Sequence, residues 1–124
     1  MATIKSYTDL EQSKKLEEIL PIESADMIWK KELKYRICSD EYKVSESDFI
    51  YCPTFKEEKI IMLNFDVPCW SLTALLNAIP SSTLDSSDSH HYRIRCNERY
   101  SEWYDNPIDA CYNMILRLHK LNIL

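Results

Sequence analysis

Glycine is missing from all 124 positions of this chain. Average usage near ~7% would place about nine in a chain of this length. Glycine takes positive φ without steric cost and lets the backbone approach a ligand closely, so its absence removes whole classes of site. A phosphate-binding P-loop, a G-x-G-x-x-G dinucleotide fingerprint and a G-x-S-x-G nucleophile elbow are all excluded. Turns have to rely on Asn, Asp, Ser and the 5 prolines. That predicts loops of about three to five residues in place of tight Asn-Gly hairpins.

A chain of this length without a transmembrane-length apolar run is expected to be one soluble domain, residues 1–124, built around a single core. Its 15 Lys+Arg against 20 Asp+Glu leave a net charge of −5. A surface of that sign repels phosphate backbones, which makes nucleic acid an unfavourable partner. The opening Met1-Ala2-Thr3-Ile4-Lys5-Ser6 has no apolar secretion core, and the 5 cysteines are odd in number. Both features point to reduced thiols and a cytoplasmic setting.

Local signals then divide the chain. Thr8-Asp9-Leu10-Glu11 reads as a capping box opening a helix that stops at Leu20, because Pro21 follows. From Met27 to Ile37 apolar and charged residues alternate, the period of a half-buried strand. Phe49–Cys52 and Ile60–Phe65 are shorter β-favouring runs, and together these three segments predict an antiparallel meander. Ser71 caps a second helix, with Trp70 and Leu75 placed to form a hydrophobic staple before Pro80 ends it. The serine-rich 81–89 stretch predicts a mobile surface loop. Tyr92–Cys96 alternates and folds back through Asn97-Glu98-Arg99 into Tyr100–Tyr104, a hairpin. Asn106 as cap, Pro107 at the first helical position and Asp109 in the first turn announce the last helix. Its arc of Ile108, Cys111, Met114, Ile115, Leu118 and Leu121 faces the sheet. The fold class expected is α+β: one antiparallel sheet of about five strands, a meander plus a hairpin, with three helices packed mainly on one face.

Chemistry-bearing residues are sparse. The cysteines lie far apart in sequence, and His90 and His91 would point to opposite faces of a strand, so no metal site or cofactor is expected. Cys96 and Cys111 fall on core faces, where a thiol behaves as a small hydrophobe. Arg93 and Arg95 share one strand face about 7 Å apart and could hold an anion, the alternative being a solvated face with Glu98 and Glu102 as partners. Tyr100 and Trp103 cluster as aromatics of the kind enriched at binding surfaces. Tyr112, Leu116 and His119 form an i, i+4, i+7 ridge on the last helix, turned away from its main apolar arc. These five residues form the candidate interaction surface, for a protein partner or for self-association, with no small-molecule ligand inferred.

The blocks LEEILPIESADM (16–27), VPCWSLTALL (67–76) and WYDNPIDAC (103–111) resemble small proteins of Bacteroides-type gut bacteria and their phages and mobile elements. The resemblance brings no activity and no site residues; it implies a cytoplasmic setting and an accessory role on mobile DNA. The function expected is therefore a non-enzymatic protein-binding or regulatory module. Two alternatives stay open: a small enzyme assembled from scattered residues such as Cys69, His90 or His91 and Asp105, and an acidic inhibitor that imitates nucleic acid through Asp40-Glu41 to Glu46-Asp48.

Overall fold

The structure is a computed structural model that describes residues 5–29, 66–88 and 90–124, and residues 54–55 by their backbone path. In chain order these carry α1 (Leu10–Glu17), a 3₁₀ turn (Ile22–Ser24), β1 (Met27–Trp29), β2 (Thr54–Phe55), β3 (Val67–Cys69), α2 (Leu72–Ala78), β4 (Ser82–Ser86), β5 (Tyr92–Cys96), β6 (Arg99–Tyr100) and α3 (Pro107–Lys120). The class is α+β. The strands do not form one sheet, however. Among the described residues they form two antiparallel three-stranded sheets, ordered β2-β1-β3 and β4-β5-β6.

The division follows from where the apolar side chains go. β3 leads within two residues into α2, which packs on α3 rather than letting the next strand return to β3. The first sheet keeps its own cluster of Met27, Trp29, Val67 and Cys69, closed by Tyr7 and Leu10. Ile94 and Cys96 of the second sheet join the larger core of Leu16, Trp70, Leu75, Ile108, Cys111, Met114, Ile115 and Leu118. The helices are shared accordingly, α1 on β3 and α3 on β5, so they do not lie together on one face.

Helix ends follow local chemistry, with small displacements. α1 is capped one residue later than the Thr8 pattern predicts. Asp9 Oδ1 accepts the Gln12 N–H at 2.8 Å, and Gln12 Oε1 accepts the Asp9 N–H at 3.1 Å, a closed capping box. The helix ends at Glu17 rather than at Leu20. Ser71 caps α2 as expected, its Oγ accepting from Ala74 N–H, while Asp26 takes the Ser71 N–H at 2.9 Å. Trp70 and Leu75, the staple pair, are both fully buried. Asn106 caps α3 with Pro107 at its start, Asn106 Oδ1 accepting from the Asp109 N–H at 2.8 Å. Leu121, assigned above to the buried arc, is half exposed because α3 stops just before it. Asn122 takes φ 60°, and the N–H groups of Asn122 and Ile123 return to the carbonyls of His119 and Leu118. This is a Schellman stop built without glycine.

Thr8 has a larger task than capping. It is fully buried. Its N–H donates to Trp70 O at 3.0 Å, and its Oγ1 accepts from Trp70 N–H at 3.2 Å and meets Ser13 Oγ at 2.7 Å. Its carbonyl accepts the Trp29 indole N–H at 3.1 Å. The segment before α1, β1 and the end of β3 are thereby pinned at one residue.

The strand record differs from expectation in three places. Met27–Trp29 is buried at every position instead of alternating: Tyr7 and the α1 residue Leu10 close over the face of Met27 and Trp29, and Ile28 on the opposite face is buried as well. Val67-Pro68-Cys69 is a strand the pattern did not announce. Pro68 sits opposite Ile28 on the sheet edge, where its missing N–H costs no ladder bond. The serine run is not a loop: Ser82–Ser86 pairs with β5 along its whole length, from Ser82 opposite Cys96 to Ser86 opposite Tyr92. Leu84 anchors it against Ile94. The runs at Phe49–Cys52 and Ile60–Phe65, and the strand beyond Trp29 to Ile37, lie outside the described residues.

A polar network seats α1 on the start of α3. Lys5 Nζ reaches Asp9, Gln12 and Asp109 at 3.1, 3.1 and 3.0 Å. Gln12 Nε2 and Asn106 Nδ2 also donate to Asp109, at 2.7 and 2.8 Å. Burial works against ionisation of Asp109, but the hydrogen bonds from Gln12, Asn106 and Lys5 outweigh it and hold the carboxyl below its ordinary range. A carboxyl whose folded value is lowered contributes stability above its unfolded value and loses it as pH falls through the lowered one. Asp109→Asn is therefore expected to flatten the acid limb of stability below about pH 4, read by denaturant titration across that range. Thr8→Val strands the buried Trp70 N–H and is expected to cost about 1–3 kcal/mol, with Ser6→Ala as the near-neutral control.

Candidate functional site

The second sheet presents one face to α3 and one to solvent. Register puts Ile94 and Cys96 inward, leaving Arg93 and Arg95 on the outer face opposite Asp85 and Thr83 of β4. On the other side of β5, Arg95 is paired with Tyr100. The β5–β6 connection is a two-residue loop, Asn97-Glu98, with Asn97 at φ 58°. Asparagine thus does the work glycine does in a tight hairpin, against the expectation of longer loops. The β4–β5 turn is longer and places His90 at φ 60°.

Around Arg93 the outer face becomes a built arrangement. Its Nε donates to Asp85 Oδ2 at 3.2 Å. Its guanidinium lies over the Tyr100 ring at 4.5 Å and over the Trp103 ring at 4.6 Å. Both residues remain exposed, Tyr100 at 43% and Trp103 at 45%. From below, Arg117 of α3 donates to the Tyr100 carbonyl at 2.9 Å, which ties the edge of the sheet to the helix. Four of the chain's five arginines (93, 95, 99 and 117) are in this quarter of the sequence. The expected partners of the Arg pair, Glu98 and Glu102, form no ion pair among the described residues; Asp85 serves Arg93 instead.

The rest of the candidate surface divides. Tyr112 packs on the main core, and burial raises its phenol above the ordinary value, with Lys15 opposing and Asp9 and Glu11 of α1 adding to it. Leu116 is half-buried on α3. His119 is exposed and its Nδ1 lies 2.9 Å from the Leu124 carbonyl. The structure therefore brings Tyr100 and Trp103 together, gives Tyr112 to the core and turns His119 to the end of the helix.

The scattered enzyme residues do not converge in this way. Cys69 is fully buried beside Thr8, its Sγ 3.5 Å from the Thr8 carbonyl. His91 Nε2 lies 3.6 Å from Asp105 on the surface of the other sheet. His90 is exposed at the β4–β5 turn. Among the described residues no three His, Cys, Asp or Glu side chains are grouped as metal ligands. An open cleft of about 720 Å³ lies between the 3₁₀ turn and α2, where Asp26 is occupied by Ser71. The acidic stretch Asp40–Asp48 lies outside the described residues. No described helix is long and apolar enough to cross a membrane.

Sequence reasoning missed Asp85 and with it the bracing of Arg93. The available signal was the order Thr83-Leu84-Asp85, a polar–apolar–acidic alternation that places a carboxylate across from an arginine once β4 is paired. Comparison with protein-family models, curated proteins and solved structures finds no match for the chain. Burial raises the Cys69 thiol to about 11, with hydrogen bonds from Thr8 and Ser13 opposing, and burial raises Cys111 to about 12. Neither is a thiolate at neutral pH. A water-soluble disulfide reagent is expected to leave both untouched in the folded chain and to label them on unfolding, as followed by peptide mass spectrometry.

Proposed function

We propose that the chain is a non-enzymatic protein-binding module whose contact surface is the outer face of the second sheet, centred on Tyr100 and Trp103. The observation that carries this reading is the exposed ring pair closed around Arg93, itself anchored by Asp85. Aromatic and arginine side chains are the residue types that dominate interface energetics, and a single such cluster supplies most of the binding energy of a typical complex. The buried thiols and the separation of Cys69 from the His91–Asp105 pair favour adhesion over catalysis. The resemblance to small proteins of gut bacteria and their mobile elements supports an accessory or regulatory role in the cytoplasm of such a cell.

The test compares the full chain with Trp103→Ala and with Thr73→Ala as a distant surface control, each used to capture partners from a Bacteroides lysate. A specific partner held by the full chain and by Thr73→Ala, with affinity lowered about 30-fold or more by Trp103→Ala, is the result expected of a central aromatic. A partner bound equally well by Trp103→Ala would place the contact surface elsewhere.

A further inference from the structure

The two edges of the second sheet are not alike. β6 is two residues long and its Tyr100 carbonyl is occupied by Arg117. The edge strand β3 of the first sheet carries Pro68. β4 has neither protection.

Its free groups can be named from the ladder. β5 bonds β6 and the chain that follows it through Cys96, Ile94 and Tyr92: Cys96 closes the hairpin against Arg99, Ser101 N–H donates to Ile94 O at 2.9 Å, and Tyr92 and Tyr104 exchange both backbone bonds at 2.7 Å. Successive residues of a strand bond to opposite sides, so Arg93 and Arg95 bond β4. Their opposites, Asp85 and Thr83, face β5. The N–H and C=O groups of Ser82, Leu84 and Ser86 point away from the sheet and have no hydrogen-bond partner among the described residues. Natural edges of this length are usually blunted by a lysine, a proline or a bulge. β4 contains none of these, and its one charge, Asp85, is neutralised by Arg93.

The order of side chains says what fits. Ser82-Thr83-Leu84-Asp85-Ser86 reads almost the same in both directions about Leu84. We infer that β4 pairs antiparallel with β4 of a second copy across a two-fold axis at Leu84, joining the two outer sheets into one. In that register Leu84 faces Leu84, Ser82 faces Ser86 and Thr83 faces Asp85 of the other copy. Every outward N–H and C=O of Ser82, Leu84 and Ser86 is then satisfied. The Thr83 hydroxyl donates to the Asp85 carboxylate, and no like charges oppose each other across the new pair. A two-fold contact requires this kind of self-complementarity, whereas an unrelated peptide does not. The inference stands apart from the contact surface proposed above, since it uses the edge of the sheet and not its outer face.

Light scattering on the eluting full chain is expected to give twice 14.7 kDa. Ser86→Pro removes one outward N–H at a position where an edge strand accepts proline. It is expected to raise the dissociation constant about tenfold or more with an unchanged circular dichroism spectrum. Mild oxidation of Leu84→Cys is expected to link two chains through residue 84. Thr83→Cys is not, because the register sets the two copies of residue 83 beyond disulfide reach. A single-chain mass at every concentration overturns the inference. So does a dimer indifferent to Ser86→Pro, or one in which Thr83→Cys links as readily as Leu84→Cys.

Discussion

Thr8 is the constraint on which the packing turns. A threonine without exposure has to satisfy its hydroxyl, N–H and carbonyl inside the protein, and an unpaired one costs on the order of 1–3 kcal/mol. Here each finds a partner on a different part of the chain: Ser13 in α1, Trp70 after β3, the indole of Trp29 at the end of β1. Trp70 carries the connection onward, its ring in the main core and its indole N–H on Ser24 Oγ at 3.0 Å. The small cluster of the first sheet and the large core beneath the second are thus joined through polar groups that have one good arrangement. A buried network with every member satisfied fixes geometry in a way apolar contact alone does not.

The missing glycines are replaced one turn at a time. Ser81, His90, Asn97 and Asn122 stand at φ between 51° and 60°, the left-handed region that an L-residue enters at about 1–2 kcal/mol. Two are asparagine, the residue that tolerates this region best after glycine. Each stands at a change of direction: leaving α2, between β4 and β5, between β5 and β6, and at the end of α3. Four strained corners of this kind are tolerable because the elements between them are well anchored, Leu84 on Ile94 and α3 through six fully buried apolar side chains.

What was legible in the sequence was local. The caps at Ser71 and Asn106, the staple of Trp70 and Leu75 and the alternation of Tyr92 to Cys96 depend on neighbours within a few residues, and all recur in the structure. What was not legible was decided at a distance. Thr8 and Asp9 offer near-identical capping chemistry, and only the burial of Thr8 by Trp29 and Trp70 assigns the cap to Asp9. Val67-Pro68-Cys69 has no strand pattern of its own, and in Ser82–Ser86 the alternation is only three residues long inside a serine run; each is a strand because a partner with the right register lies beside it. The partition into two sheets follows from the same long-range pairing. Of the candidate surface, Tyr100 and Trp103 could be found from composition, but the arginine between them needed the carboxylate on β4.

The clamp on Arg93 has a thermodynamic consequence for whatever touches it. A long, flexible cation and two bulky rings ordinarily forfeit rotational freedom when they enter a contact, at about 0.5–1.5 kcal/mol for each side chain stilled. In this sheet the guanidinium is already held on two rings and a carboxylate, and the Tyr100 carbonyl is held in turn by the helix beneath. Part of that freedom has been given up during folding, so a contact made on this face would have less of it left to lose.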